Sequence, residues 1–274
     1  MLKDIQVQID NTESGQTRLE AALQLSAKFD GAHLVGVHAL RTPEAILHGA
    51  PHGVTGYFPE EIIEQQRNNI KEQAAALKKT FEEKALASGA NYEWREHEGR
   101  EVDIIAFHAR FTDLTIISQV KGKFADELEF SGSLLMESSL PILAVPNRKL
   151  PKDITKNILI AWDGSAEASR AVRGALPLLE AADKVILLSV GLPEEGNISQ
   201  DDISMHLRRH GVELEARVVE SAFPEDIILK TAKEEDIGLI VAGAWGHSRI
   251  REMIFGGVTK SLFSNQEFPV LLSH

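Results

Sequence analysis

Short apolar runs of strand length alternate with amphipathic stretches of helical length along most of the chain. In the C-terminal half the runs NILIAW, KVILLSV, ELEARVV, IGLIVAGA and PVLLS are rich in β-branched residues and leucine, as strands buried on both faces of a parallel sheet must be. The stretches between them read as helices. Ser165 stands where an N-cap belongs, ahead of an apolar stripe of Ala168, Ala171, Val172, Ala175 and Leu176, and Pro224, Glu225 and Asp226 suit the first turn of a second helix. Strands alternating with helices predict a three-layer α/β/α fold with right-handed crossovers, which places ligands at the carboxyl ends of the strands.

The N-terminal half carries the same pattern, and the two halves align with each other. IQVQIDNTESGQTRLEAALQLSAKFDGAHLVGV runs against ILIAWDGSAEASRAVRGALPLLEAADKVILLSV, pairing Asp10 with Asp163, Ala22 with Ala175, Leu34 with Leu187 and Val37 with Val190. VDIIAFHARFTDLTII runs against EDIILKTAKEEDIGLI, pairing Asp113 with Asp236, and LPILAVP meets FPVLLSH through Pro141 and Pro269. Two tandem domains, 1–147 and 153–274, each with a mostly parallel five-stranded sheet, are the expectation. The first half has about 30 additional residues after its second strand, comprising the loop RTPEAILHGAPHGVTGYF and a long charged helix, EEIIEQQRNNIKEQAAALKKTFEEKAL. It also lacks five residues before its last helix by this alignment.

Composition narrows the chemistry. Zero cysteines exclude disulfides, thiolate metal sites and cysteine nucleophiles, and with no basic leader or long apolar run the chain reads as cytoplasmic. A net charge of −12 without a clustered basic face argues against nucleic acid. A membrane partner is not expected either. A local anion site survives this charge, because backbone amides can hold a phosphate inside an acidic protein.

The segment LIVAGAWGHSRIREMIFGGVTKSLF offers such a site. Gly243 and Gly246 follow an apolar strand, nine residues intervene, and Gly256 and Gly257 then precede Val258, Thr259 and a helix. Backbone without Cβ atoms approaches an anion closely and presents successive N–H groups to it. The same glycines could serve only tight turns. Elsewhere the chain lacks a G-x-x-x-x-G-K-[ST] loop, a strand-linked G-x-G-x-x-G and a G-x-S-x-G elbow. HEGRE at His97 lacks the second histidine of a zinc-protease motif, and His48 with His52 has no evident third ligand.

This glycine segment resembles the G-x2-G-x9-G-(S/T) nucleotide loop of the universal stress protein family, and the resemblance extends over both halves as in the family's tandem-domain members. It implies a Rossmann-like fold of the adenine nucleotide alpha hydrolase-like kind. It also implies ATP or another adenine nucleotide as ligand, with Mg as an open companion. Asp163 and Val190 would contact the nucleoside, and Gly243, Gly246, Gly256, Gly257, Val258 and Thr259 would surround the phosphates, while His247 beside Gly246 either orients phosphate or faces solvent. The departure is Gly257, where ATP-binding members carry Ser or Thr. Asp163 has a simpler role open to it as well, organising the turn AWDGS, while Trp162 belongs to the core.

In the first half the matching stretch, SQVKGKFADELEFSGSLLMESS, has lost the paired glycines, and its Lys121-Gly122-Lys123 turn reads as solvated. One nucleotide per chain, in the second half, is therefore expected of a stress sensor or regulator with an unknown protein partner. A slow ATP hydrolase and a nucleotide-free protein-interaction or small-ligand-binding module are the alternatives; no catalytic residue and no metal ligand is assigned. The family's dimers commonly pair their last strands, which implies that LPILAVP and FPVLLSH pair within this chain as an intramolecular pseudo-dimer, with a further homodimer left open.

Overall fold

The computed structural model describes residues 2–43, 59–119, 132–138, 140–191, 198–244 and 257–274. The first half contains β1 (Asp4–Gln8), α1 (Glu13–Lys28), β2 (His33–Leu40), α2 (Glu60–Ser88), β3 (Tyr92–Glu98), α3 (Glu101–Ala109), β4 (Leu114–Ser118) and β5 (Ile142–Val145). Residues 132–137 are also helical. The second half contains β6 (Asn157–Ala161), α4 (Ala166–Glu180), β7 (Lys184–Val190), α5 (Gln200–Arg209), β8 (Glu215–Val219), α6 (Pro224–Glu234), β9 (Leu239–Gly243), α7 (Gly257–Phe263) and β10 (Val270–Ser273).

The strands make one sheet in the order β3-β2-β1-β4-β5-β10-β9-β6-β7-β8. Every neighbouring pair is parallel except β5 and β10, which run antiparallel with Leu143 opposite Leu271. Outward from that pair the two halves follow the same strand order, so a pseudo-two-fold axis passes through the leucine pair. The expected pairing of the two terminal apolar segments is thus observed. It joins the two expected five-stranded sheets into one and leaves only β3 and β8 as outer edges. These are the strands with the most charge, YEWREHE and EARVV, and they are largely unburied, which suits an edge that must not recruit further strands.

Helices cover both faces of the sheet. Ser165 caps α4 as expected, its Oγ accepting the Ala168 N–H at 3.1 Å. Ala168, Ala171, Val172 and Ala175 are buried beneath it; Leu176 is only partly buried, and Leu178 and Leu179 complete the stripe instead. Trp162 is in the core. The long charged stretch of the first half is the single helix α2, which buries only Ala74, Phe81 and Ala85.

The strand register corrects the self-alignment. Asp4 pairs with His33 and Asn157 with Lys184, so the counterpart of Leu34 is Val185 and that of Val37 is Leu188, two residues before the positions matched by sequence. Likewise Ile5 pairs with Leu114 and Ile158 with Leu239, which matches Asp113 to Gly238 rather than to Asp236. The displaced residues lie at helix ends: α3 has 9 residues and α6 has 11. Of the five residues the first half was expected to lack before its last helix, two therefore belong to the end of α6.

The halves also meet through polar groups. Gln119, buried just beyond β4, donates to the Phe268 carbonyl at 2.6 Å and accepts the Gln266 N–H at 2.9 Å, while Lys28 Nζ lies 2.8 Å from Asp153 Oδ2.

One buried group makes stability depend on pH. His108 in α3 is 5% exposed; Arg95 Nη1 donates to its Nδ1 at 3.0 Å, and its Nε2 has no hydrogen-bond partner among the described residues. Burial, followed by the cationic neighbours Arg95 and His97, pushes its pKa down to about 4 against the opposing pull of Glu93. The native state thus keeps His108 neutral where the unfolded chain, near 6.5, takes up a proton. This contribution is intact above pH 6.5 and is lost as pH falls toward 4, with a slope of up to about 1.4 kcal/mol per pH unit. Urea midpoints measured between pH 7 and 4.5 should fall more steeply for the wild type than for His108→Leu; parallel curves would contradict this assignment.

Candidate functional site

The strand order β9-β6-β7 places a topological switch point in the second half. The chain leaves β6 toward β7 on one side, whereas β9 lies on the other, so the carboxyl ends of β6 and β9 mark the position where open α/β sheets form their ligand crevice. Asp163 and Gly243 flank it. Asp163 follows β6 and is exposed; its Oδ1 accepts the Ser165 N–H at 3.0 Å, and Gly164 between them has φ 78°. The turn-forming role is therefore real, and it leaves the carboxylate at the surface of the crevice.

Val190 is the last residue of β7. Trp162 donates its N–H to Leu188 O at 2.8 Å, and Gly191 donates to Val219 O at 2.9 Å. Successive residues of a parallel strand turn their backbone groups to opposite neighbours, so Val190 directs its N–H and C=O to the β6 side, past the end of that strand. Asp163 and Val190 are thus brought to adjacent strand ends.

The glycines divide by role. A Cβ on Gly243 would stand 2.4 Å from Ala168 N and 2.8 Å from the Glu167 carbonyl carbon, so this residue is glycine because the first turn of α4 rests on it. This packing fixes the distance between β9 and α4. A Cβ on Gly257 meets nothing within 4 Å among the described residues. Gly257→Ser is accordingly expected to change stability by no more than about 0.5 kcal/mol, measured by urea unfolding.

Gly257 opens α7, with Val258 partly buried and Thr259 buried on the same side as Leu262 and Phe263. Gly246, His247 and Gly256 lie outside the described residues, as do Lys121, Gly122, Lys123, His48 and His52. No group of three or more His, Asp or Glu suited to a metal ion occurs among the described residues. No helix among them is long and apolar enough to cross a membrane. One residue that sequence reasoning passed over is Arg18, fully buried at the corresponding strand ends of the first half. The self-alignment held the signal, because Arg18 falls on Ala171, a core position.

Residues 155–274 match the model of the Universal stress protein family. The chain is 24% identical over 293 residues to Universal stress protein Slr1230 of Synechocystis sp., covering 98% of this chain and 99% of that protein. Among solved structures, a universal stress protein from Archaeoglobus fulgidus DSM 4304 superposes with a TM-score of 0.75 at 17% identity, over 98% of this chain and 95% of that one. A second, described as a universal stress protein from Pseudomonas aeruginosa UCBPP-PA14, gives a TM-score of 0.63 at 15% identity over 99% and 93% of the two chains. These structures share the fold over nearly the whole chain.

Proposed function

The second half of the chain belongs to the universal stress protein family and the whole chain is similar to a family member from end to end; from this premise we propose that it binds one adenine nucleotide in the second half and acts as a cytoplasmic stress sensor or regulator. In this reading residues 1–147 and 153–274 are two domains of one family, the first diverged. The observation that carries the proposal is the switch point at the carboxyl ends of β6 and β9, where Asp163 is exposed beside the strand that leads toward the glycine loop, with Val190 at the end of the neighbouring β7.

Asp163 suits a nucleoside hydroxyl, which donates to a carboxylate. The Val190 backbone offers a donor and an acceptor at the next strand end. Backbone amides of the 243–257 segment, with His247 beside them, would face the phosphates. The open space at Gly257 fits a phosphate approaching that backbone. A Mg ion, when present, would be held by the phosphates, since the described residues supply no cluster of ligands for it. Binding is the function proposed, with no residue in a catalytic role.

Calorimetry with ATP and ADP on the full chain tests this. One site per chain is expected. At about 100 times the dissociation constant the ligand should stabilise the wild type by roughly 2.7 kcal/mol, an increment missing from Gly246→Val and kept in Gly122→Val. Two sites per chain, or loss of binding from the Gly122 change alone, would overturn it. Gly257→Ser should tighten ATP binding about tenfold, the worth of one hydrogen bond to a charged group. Unchanged affinity would place the phosphates elsewhere.

A further inference from the structure

The first half presents the same strand ends in the same order, yet the space beside them is taken. α1 and α4 begin at Glu13 and Ala166, and Ile5 and Ile158 pair with Leu114 and Leu239. Asp10 therefore stands for Asp163, Gly15 for Ala168, Arg18 for Ala171 and Ser118 for Gly243.

Arg18 is 2% exposed. Its Nε donates to the Gln8 carbonyl at 2.8 Å, its Nη1 to Ser118 Oγ at 2.6 Å, and its Nη2 lies 2.7 Å from Asp10 Oδ2. The other oxygen of Asp10 accepts the N–H of Thr12 at 2.9 Å together with the Thr12 hydroxyl. A Cβ on Gly15 would stand 2.8 Å from the Asp10 carbonyl oxygen and 3.3 Å from Arg18 Nη2, so glycine at this point in α1 makes room for the ion pair. Three substitutions relative to the second half thus act together with one retained residue. Glycine moves from the strand to the helix, serine appears at the strand end, the aspartate remains, and a planar cation ties them.

We infer that Arg18 is an internal plug: its guanidinium fills, in the first half, the cleft at the carboxyl ends of β1 and β4, and a small guanidinium compound is the ligand class that this cleft accepts once the plug is cut back. Two acceptors, a backbone carbonyl and a hydroxyl, together with a carboxylate in ion-pair contact, converge on a planar fork that an ammonium cannot reproduce. Because the cation is part of the chain, the first half cannot exchange it for anything in solution. On the reading proposed for the second half, the response to ligand then runs through that half alone.

The test uses the full chain and melting temperature, and needs no nucleotide, so its failure is separate from any failure of nucleotide binding. Arg18→Ala should melt about 5–15 °C below the wild type, as expected when one partner of a buried pair is removed. About 10 mM ethylguanidinium should restore several degrees to Arg18→Ala while leaving the wild type unchanged, and ethylammonium at the same concentration should restore less. An Arg18→Ala protein that melts with the wild type, or an ethylguanidinium effect equal on both proteins, would overturn the inference. Should Arg18→Ala fail to fold, Arg18→Lys keeps the charge without the fork. It should melt several degrees below the wild type, and equality with the wild type would overturn the inference too.

Discussion

Leu271→Asp is expected to lower the stability of the entire chain by more than about 4 kcal/mol and to leave most of the protein insoluble. Leu271 and Leu143 face each other at the centre of the sheet, and neither has any exposed surface. A carboxylate there has no cation and no water to meet. The damage would not stay in one half, because β10 is bonded to β9 on one side and to β5 on the other. Leu271→Met, which keeps volume and polarity, should cost less than about 1.5 kcal/mol. Urea unfolding followed by fluorescence and far-UV circular dichroism would compare them. A soluble Leu271→Asp protein within about 1 kcal/mol of the wild type would refute a single core spanning both halves. By the same reasoning each half expressed alone should self-associate through its bare β5 or β10 edge, and monomeric, well-folded halves would count against the arrangement.

Gly243→Val should be nearly as severe, for a steric reason. Its Cβ would fall 2.4 Å from Ala168 N and 3.0 Å from Ala168 Cα, both of them backbone atoms in the first turn of α4. Neither can swing aside as a side-chain tip would. Either α4 lifts from β9 or β9 bends, at a cost of about 3 kcal/mol or more, as in overpacked cores. The same movement displaces Ser165 and Asp163 from the end of β6, so nucleotide binding should be lost along with stability. Gly243→Ala is the milder member of the pair and should fall between. Thermal melting and calorimetry on the same samples would show it; a stable Gly243→Val protein that binds nucleotide would remove both the packing role and the placement of the crevice.

The alternation of strands and helices and the duplication were legible in the sequence because each leaves a periodic trace of apolar residues, whereas the central strand pair was expected only from the resemblance to the family. The register between the halves was not. Val37 was matched to Val190 where the sheet matches it to Leu188, and Asp113 to Asp236 where the sheet matches it to Gly238. Both slips are of two residues, and a shift of two along a strand returns every side chain to the same face. The hydrophobic pattern is blind to it; only the hydrogen-bonded pairing resolves it. Gly243 was read for what approaches it from solvent, whereas the closest object is a helix from its own half. Arg18 was hidden by type, since an arginine in an amphipathic helix is ordinarily solvated. The motif around Gly243 and Gly257 was legible, but the filling of the first half's strand ends by Arg18 required side-chain positions.

The central position of β10 sets a condition on how the chain is made. β5 is synthesised about 125 residues ahead of the strand that covers its edge, an interval of roughly 6–25 s at ordinary elongation rates. Throughout that interval ILAV presents a bare apolar edge, while the rest of the first half already has everything needed to fold. Nascent first halves on neighbouring ribosomes of one message carry the same edge, and each is the best available mimic of the missing β10. Slower elongation through the second half should therefore increase co-aggregation of nascent chains, and a polar substitution in β5 that weakens the finished sheet should nonetheless reduce it.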